Sequence, residues 1–233
     1  MSNPYKIFAL GADVYSLEFE KGDVDFVCLR QTFLYFTTEL TEVTFTFNRL
    51  HLFFRRPTTI EEVRSFVDEV MHVPLAAKPP QRLWRLPICF SPAYTADLVD
   101  CFEGNMERVH HYHSNFLQGQ YHLVFYGFLP GFGYFEGLPE ALHLARKSSP
   151  TQRTLQGTVA VGGAQLGIYP QDSPGGWQGI GHCPVSLFMP SQTPPVLLQP
   201  NDEVVFFEVD EKTHAQIVEA THRQEYQPQS VVL

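Results

Sequence analysis

Residues 162–181 read GGAQLGIYPQDSPGGWQGIG, and the use made of these glycines decides what kind of domain the chain builds. Gly162, Gly163, Gly167, Gly175, Gly176, Gly179 and Gly181 surround Tyr169, Pro170, Ser173, Pro174 and Trp177, a composition no amphipathic helix carries. Glycine permits positive φ and lets another group approach the backbone without meeting a Cβ. Two uses follow. The amides of Gly175 and Gly176, flanked by the Ser173 hydroxyl and the Trp177 ring, can turn inward as an anion nest for a carboxylate, a phosphate or a polarised carbonyl oxygen. The other use is a glycine-rich barrel corner folded over a buried tryptophan, and the residue types alone leave both open.

A second stretch of the same kind lies upstream at 127–138, GFLPGFGYFEGL, where glycine and proline alternate with Phe128, Phe132, Tyr134 and Phe135. Alone, it reads as a tight turn over an aromatic cluster. Paired with 162–181 in one β-rich region, it predicts two loops facing one cleft. The surroundings fit that region: RLPICF, YHLVFYGF, GTVAVGG, PVSLF and DEVVFFEV are short β-like runs separated by Gly/Pro turns, with one helix expected near 95–108. The final THRQEYQPQSVVL is expected to be loosely ordered.

Upstream the pattern differs. Residues 13–19 alternate as a half-buried strand, 24–38 carry helical spacing, and 43–54 read as a hairpin about Asn48-Arg49 with Val43, Phe45 and Phe47 on one face. Thr59 and Glu62 can form a capping box ahead of Ile60, Val63, Phe66, Val67 and Val70. HVPLAAKPPQ at 72–81 has three prolines and no periodicity, as a linker would. The expected organisation is therefore α+β, with a small α/β domain over 1–80 and a mostly-β domain over 81–233.

Bulk properties narrow the function. The formal charge of −9 and pI near 5.5 disfavour duplex DNA or an anionic membrane as partner. Four scattered cysteines, Cys28, Cys89, Cys101 and Cys183, form no C-x-x-C pair, which suits a reducing cytoplasm better than a disulfide framework. MSNPYKIFALG lacks the pattern of a secretory leader, and no run of about 18 apolar residues marks a membrane span.

Taken together, G-F-x-P-G-F-x-Y and G-I-Y-P-x-x-S-P-G-G-W-x-x-I-G resemble the KipI / allophanate hydrolase subunit 1 family, with PICF at 87–90 and Asp97-Leu98 also fitting. The likeness is strong over about residues 84–209. It implies that the second domain is a cyclophilin-like β-barrel. It also implies a partner, a large allophanate hydrolase subunit 2-type subunit (PxpC- or KipA-like), and a PxpA-like third subunit. The implied activity is ATP-dependent opening of the lactam of 5-oxo-L-proline to L-glutamate, the role of the family's PxpB-type members, in which the chain is half of a site and inactive alone. Other branches imply inhibition of a sporulation histidine kinase, or a carboxyltransferase role related to urea carboxylase. On the leading reading ATP is held mainly by or with the partner, since this chain has no G-x-x-x-x-G-K-[ST] loop; nor does a lysine lie beside a methionine as in a biotin acceptor. Phe128, Pro130, Gly131, Phe132 and Tyr134 would form one wall of a substrate site. Tyr169, Ser173, Gly175, Gly176 and Trp177 would form the other, with Arg146 as anion anchor.

The chain departs from the family between these walls. Two Pro-Arg pairs are usual there, and here they read Ala145-Arg146 and Pro150-Thr151, so one guanidinium is missing unless Arg153 reaches across. The usual I-G-R-T-P becomes Ile180-Gly181-His182-Cys183-Pro184, a permanent cation exchanged for a titratable ring. HHYH at 110–113 reads as a hydrogen-bonding cluster rather than a metal site, and His122 as a structural ring rather than a base. Glu136 and Asp172 are reachable acids, each either a general base or a solvated loop charge. No nucleophile elbow surrounds Ser173.

Overall fold

A computed structural model describes residues 5–20 and 24–233. The first four residues of MSNPYKIFALG, the stretch tested for a leader, lie outside them. The chain divides into two compact units, Met1–Pro80 and Gln81–Leu233.

The first unit runs β1 (Tyr5–Ala9), β2 (Val14–Phe19), α1 (Phe26–Phe36), β3 (Leu40–Phe45), β4 (Arg49–Phe54) and α2 (Ile60–Met71). Its strands form an antiparallel sheet in the order β1-β2-β4-β3. Leu17, Val43, Leu50 and Leu52 are fully buried, as are Phe33, Val63 and Val67 from the helices. Each such side chain contributes about 1.5–3 kcal/mol relative to exposure. Asp25 caps α1 by accepting from the Cys28 amide, and Thr59 and Glu62 complete both halves of the capping box on α2. The hairpin turns one residue earlier than its sequence suggests. Phe45 pairs with Leu50 and the Thr46 amide donates to the Arg49 carbonyl, so Phe47-Asn48 is the tip and Phe47 is half exposed rather than aligned with Val43 and Phe45.

The second unit contains β5 (Arg82–Ile88), α3 (Pro92–Cys101), α4 (Met106–Phe116), β6 (Tyr121–Tyr126), β7 (Gly133–Glu136), a 3-10 turn at Glu140–Leu142, β8 (Thr151–Thr154), β9 (Thr158–Gly162), β10 (Gln165–Ile168), β11 (Ser173–Gly175), β12 (Gln178–His182), β13 (Glu203–Glu208), α5 (Glu211–His222) and β14 (Gln229–Val232). Eight strands form one sheet in the order β12-β9-β10-β7-β6-β13-β5-β14, while β11 and β8 make a separate ribbon. Within the large sheet only β13 and β5 run parallel. The sheet closes on itself just beyond β5, where Cys89 and His182 exchange backbone hydrogen bonds of 2.9 and 3.0 Å. Its interior is filled by Leu86, Ile88, Tyr121, Val159, Val161, Leu166, Ile180 and Val204, with Leu98 and Phe116 from the helices packed in the same cluster.

Three expectations change here. The single helix near 95–108 is two helices, separated where Glu103 and Gly104 take φ of 52° and 78° and Asn105 caps α4. PVSLF makes no strand; Phe188 forms only an isolated bridge to Val196. The C-terminal residues are not loose: α5 ends at His222, Tyr226 packs on the core, and β14 pairs with β5 from Gln229↔Arg85 to Val232↔Arg82. Strand β14 is short and gains its order from pairing rather than from local propensity, a term invisible in the tail's own composition.

Candidate functional site

The turn between β6 and β7 and the segment from β10 to β12 come together through their rings. Phe132 lies 5.1 Å from Tyr169 and 5.4 Å from Trp177, both edge-on, and Tyr134 lies 5.5 Å from Trp177. Phe132, Tyr169 and Trp177 are 1%, 2% and 7% exposed, and with Ala160 they form one packed cluster. The two turns therefore face each other, but the hollow expected between them is filled by their own aromatic side chains.

The glycines make room for that filling. A Cβ on Gly162 would lie 2.5 Å from Trp177 Cδ1 and Nε1, and one on Gly167 would lie 2.6 Å from Phe132 Cζ. Close approach of ring to backbone accounts for both residues. The anion nest is not formed. Gly175 and Gly176 do not take positive φ, Gly175 sits in β11 opposite Thr151, and its carbonyl accepts the Thr151 hydroxyl. Ser173 is buried and its hydroxyl donates to the neighbouring Pro174 carbonyl.

What remains accessible is the outer edge of the plug. Phe128, held at φ 63° and 61% exposed, stands edge-on to Phe132 at 5.5 Å. Pro130 is exposed beside it, whereas Gly131 is buried at φ 80° against the Phe188 ring. Arg146 is exposed, with its guanidinium carbon 5.7 Å from the Trp177 ring. Among the described residues no carboxylate lies within ion-pair distance of it. Tyr134 is half-buried and stacks on Phe125 at 4.6 Å; burial pushes its hydroxyl up, and the nearby Arg146 charge opposes that shift. Burial likewise raises the Tyr169 hydroxyl, against hydrogen bonds from the Trp177 amide and Thr154.

Two further residues belong to this edge. Lys147 forms a 2.6 Å ion pair with Asp97 Oδ2, which also accepts the Gly179 amide at 2.8 Å. The Lys147 amide donates to the Gly176 carbonyl, and Gln178 Nε2 donates to the Ala145 carbonyl at 3.0 Å. These bonds stitch residues 145–147 along 176–179 and so fix where Arg146 stands. In the sequence Asp97 reads only as part of a pattern, and Lys147 carries no role; the adjacent cations of Arg146-Lys147 are the signal that points to this edge.

The other candidates are placed elsewhere or are otherwise engaged. Arg153 does not reach across: its Nε and a terminal nitrogen meet Asp172 Oδ2 at 2.8 and 2.6 Å, while Asp172 Oδ1 accepts the Gln156 amide and is held below the usual carboxylate range by that bond and by Arg153. His182 is no cation either. Burial first, and the neighbouring His214 second, lower it to about 4; its Nε2–H donates to the Gln156 carbonyl at 2.8 Å, and Nδ1 meets His214 Nε2 at 2.8 Å. Along α4, His113 turns inward to stack on Phe90 at 3.8 Å and donate to the Ile180 carbonyl, while His111 faces outward to Asn115, so the HHYH rings do not converge. His122 lies opposite Glu136 across β6 and β7, with Nδ1 3.3 Å from the buried Glu203.

Chemically, this edge offers a planar guanidinium with no acidic partner, a flat aromatic support and a neighbouring ammonium held by Asp97. Such a group can take a carboxylate through two parallel hydrogen bonds. The glycine turn does not offer the inward amides that a polyphosphate needs.

Residues 27–198 match the family model described as carboxyltransferase domain, subdomain C and D. The B-type subunit of the 5-oxoprolinase of Bacillus subtilis is 36% identical over 137 residues, 58% of this chain and 56% of that protein. Its counterpart in Escherichia coli O157:H7, also a B-type 5-oxoprolinase subunit, is 41% identical over 134 residues, 56% of this chain and 60% of that protein. The matched stretch thus spans little more than half the length of these curated relatives. The urea amidolyase of Kluyveromyces lactis superposes with a TM-score of 0.76 at 16% identity, over 97% of this chain and 16% of that one, which is a likeness of fold. No described helix is long and apolar enough to cross a membrane. With an α+β architecture and a match covering most of its length, the chain belongs to the carboxyltransferase-domain family, subdomains C and D.

Proposed function

We propose that this chain is the B-type subunit of a heteromeric, ATP-dependent 5-oxoprolinase of the cytoplasm, working with a large allophanate hydrolase subunit 2-type subunit and a PxpA-like subunit. Two things support the reading: the names of the relatives at 36% and 41% identity, and the exposed Arg146 guanidinium above Trp177. The arginine carries the argument. The substrate is a small ring bearing one carboxylate, which pairs with Arg146 while the ring lies against Phe128 and the outer edge of the aromatic cluster. Lys147 is neutralised by its ion pair with Asp97, and the pair serves to hold residues 145–147, and so Arg146, in place. The reaction adds water to the lactam carbonyl and breaks the ring C–N bond, the nitrogen leaving as the amine of glutamate. On this chain the residues bind and orient. The turn at Gly175-Gly176 does not fit a triphosphate, and the nucleotide is held mainly by or with the partner.

The test is turnover by the complete assembly. The chain is purified alone and with the two other subunits, and ADP release dependent on 5-oxoproline is measured. The expected result is activity only in the assembly, with Arg146→Ala raising KM by about 10- to 100-fold, the worth of a charge-assisted hydrogen-bonded pair. A complete assembly without 5-oxoproline-dependent turnover rejects the assignment.

A further inference from the structure

The first unit carries a surface that the oxoprolinase reading leaves unused. Two hollows of about 520 and 280 Å³ lie along the outer side of α2 and share Ser65 and Glu69, so they are the two ends of one groove. Its floor is aromatic: Phe66 packs 6.0 Å from Phe36 and 5.8 Å from Phe54. Phe36 itself, at the end of α1, is 40% exposed to this groove. The rim is acidic. Glu39, Glu62, Asp68 and Glu69 line it against the single guanidinium of Arg56, which reaches Glu39 and Glu62 only at 3.7 and 3.6 Å. Asp68 accepts the Tyr5 hydroxyl, and among the described residues Glu69 has no cation within ion-pair distance.

We propose that this groove docks an amphipathic helix of a protein partner, one that presents an apolar side chain flanked by lysines or arginines. The shape selects a helix: from Glu62 to His72 the groove follows α2 for about 15 Å, two to three helical turns, and its helical wall has its backbone donors already satisfied, leaving nothing for an added strand to pair with. The charge selects a basic partner and counts against a second copy of this chain, whose net charge is −9.

The probe is a fluorescent synthetic peptide of about 16 residues with leucine at helical spacing and lysine elsewhere, titrated into the full chain by anisotropy, beside a control in which glutamate replaces every lysine. The expected result is saturable binding of the leucine/lysine peptide only, weakened at least tenfold by Ser65→Arg combined with Glu69→Lys. Both positions are exposed, and thermal unfolding checks that the variant folds. Glu136→Lys with Glu140→Lys, a comparable change of charge in the other unit, is expected to leave binding unchanged. Equal loss from that control pair overturns the proposal, as does binding of the glutamate control. Sedimentation showing self-association of the chain that Ser65→Arg abolishes also overturns it, by making a second copy the occupant. None of these readouts depends on turnover, so the groove and the catalytic assignment stand or fall separately.

Discussion

Replacing Gly162 by alanine tests whether the glycines exist to admit rings. An added Cβ would lie 2.5 Å from two atoms of the Trp177 indole, about an ångström inside ordinary carbon contact. Gly162 is buried at the end of β9, and its neighbours on β10 leave the backbone little room to retreat. Alanine lowers the entropy of the unfolded chain and on that ground adds about 0.4–1 kcal/mol of stability. Overpacking in a filled core costs about 1–3 kcal/mol. The clash wins, and a net loss of about 1–2 kcal/mol lowers Tm by roughly 2–8 °C at this chain length. Trp177→Ala removes the indole together with its Cγ, which also lies 2.6 Å from the added Cβ, and by itself costs about 3–5 kcal/mol as a large-to-small change. In that background Gly162→Ala meets no ring and should gain the about 0.4–1 kcal/mol of the unfolded-state term, so the double-mutant cycle should show a coupling of about 1–3 kcal/mol. Thermal and urea unfolding of the four proteins measure it. Strict additivity, or a Gly162→Ala protein more stable than the parent, would refute the ring-admission argument and return the glycines to a ligand.

Other consequences follow from the same geometry. Gly176→Ala should raise Tm by roughly 1–4 °C, because a Cβ there meets only Pro150 at 3.8 Å and the unfolded-state gain goes unopposed, whereas Gly175→Ala should be clearly destabilising because its Cβ would overlap the Tyr169 and Thr154 hydroxyls; scanning calorimetry of the pair distinguishes a strand position from a nest. Asp97→Asn keeps an acceptor for the Gly179 amide but strands the Lys147 ammonium, which is only 14% exposed, so it should cost about 1–3 kcal/mol in urea unfolding, and Lys147→Met in the same background should recover part of that. His113 and His182 are both lowered to about 4 chiefly by burial, so the unfolded chain binds more protons than the folded one between pH about 6.5 and 4; stability is full above that window and declines as pH falls through it, by on the order of a few kcal/mol, and His182→Gln should flatten part of the slope.

The elements legible in the sequence are those that local chemistry specifies. Thr59 and Glu62 announce the start of α2 because the capping box is a contact between residues three apart, and Val43 and Phe45 show their strand by alternation, although the same alternation carried on to Phe47 overruns the turn. The closing bridge between Cys89 and His182 joins residues far apart in the chain, and β14 is ordered only by β5; nothing within either segment declares the other. The same distinction governs the site. That GFLPGFGYF and GIYPQDSPGGW meet is legible in their shared composition, but a glycine in a sequence states only that a Cβ is missing, and a ring and a ligand need that absence equally. The structure assigns the space at Gly162 and Gly167 to Trp177 and Phe132. Chemistry is thereby displaced from the interior of the turns to their rim. Trp177 is sealed on the side it turns toward Gly162 and is overlain on another by Arg146, so the plug that excludes a ligand from the glycines is also the platform that holds the guanidinium out toward one. A site built this way recognises an anion by a side chain on a rigid aromatic support, and its specificity therefore depends on residues 145–147 and on the Asp97 that anchors them more than on the glycines that first draw the eye.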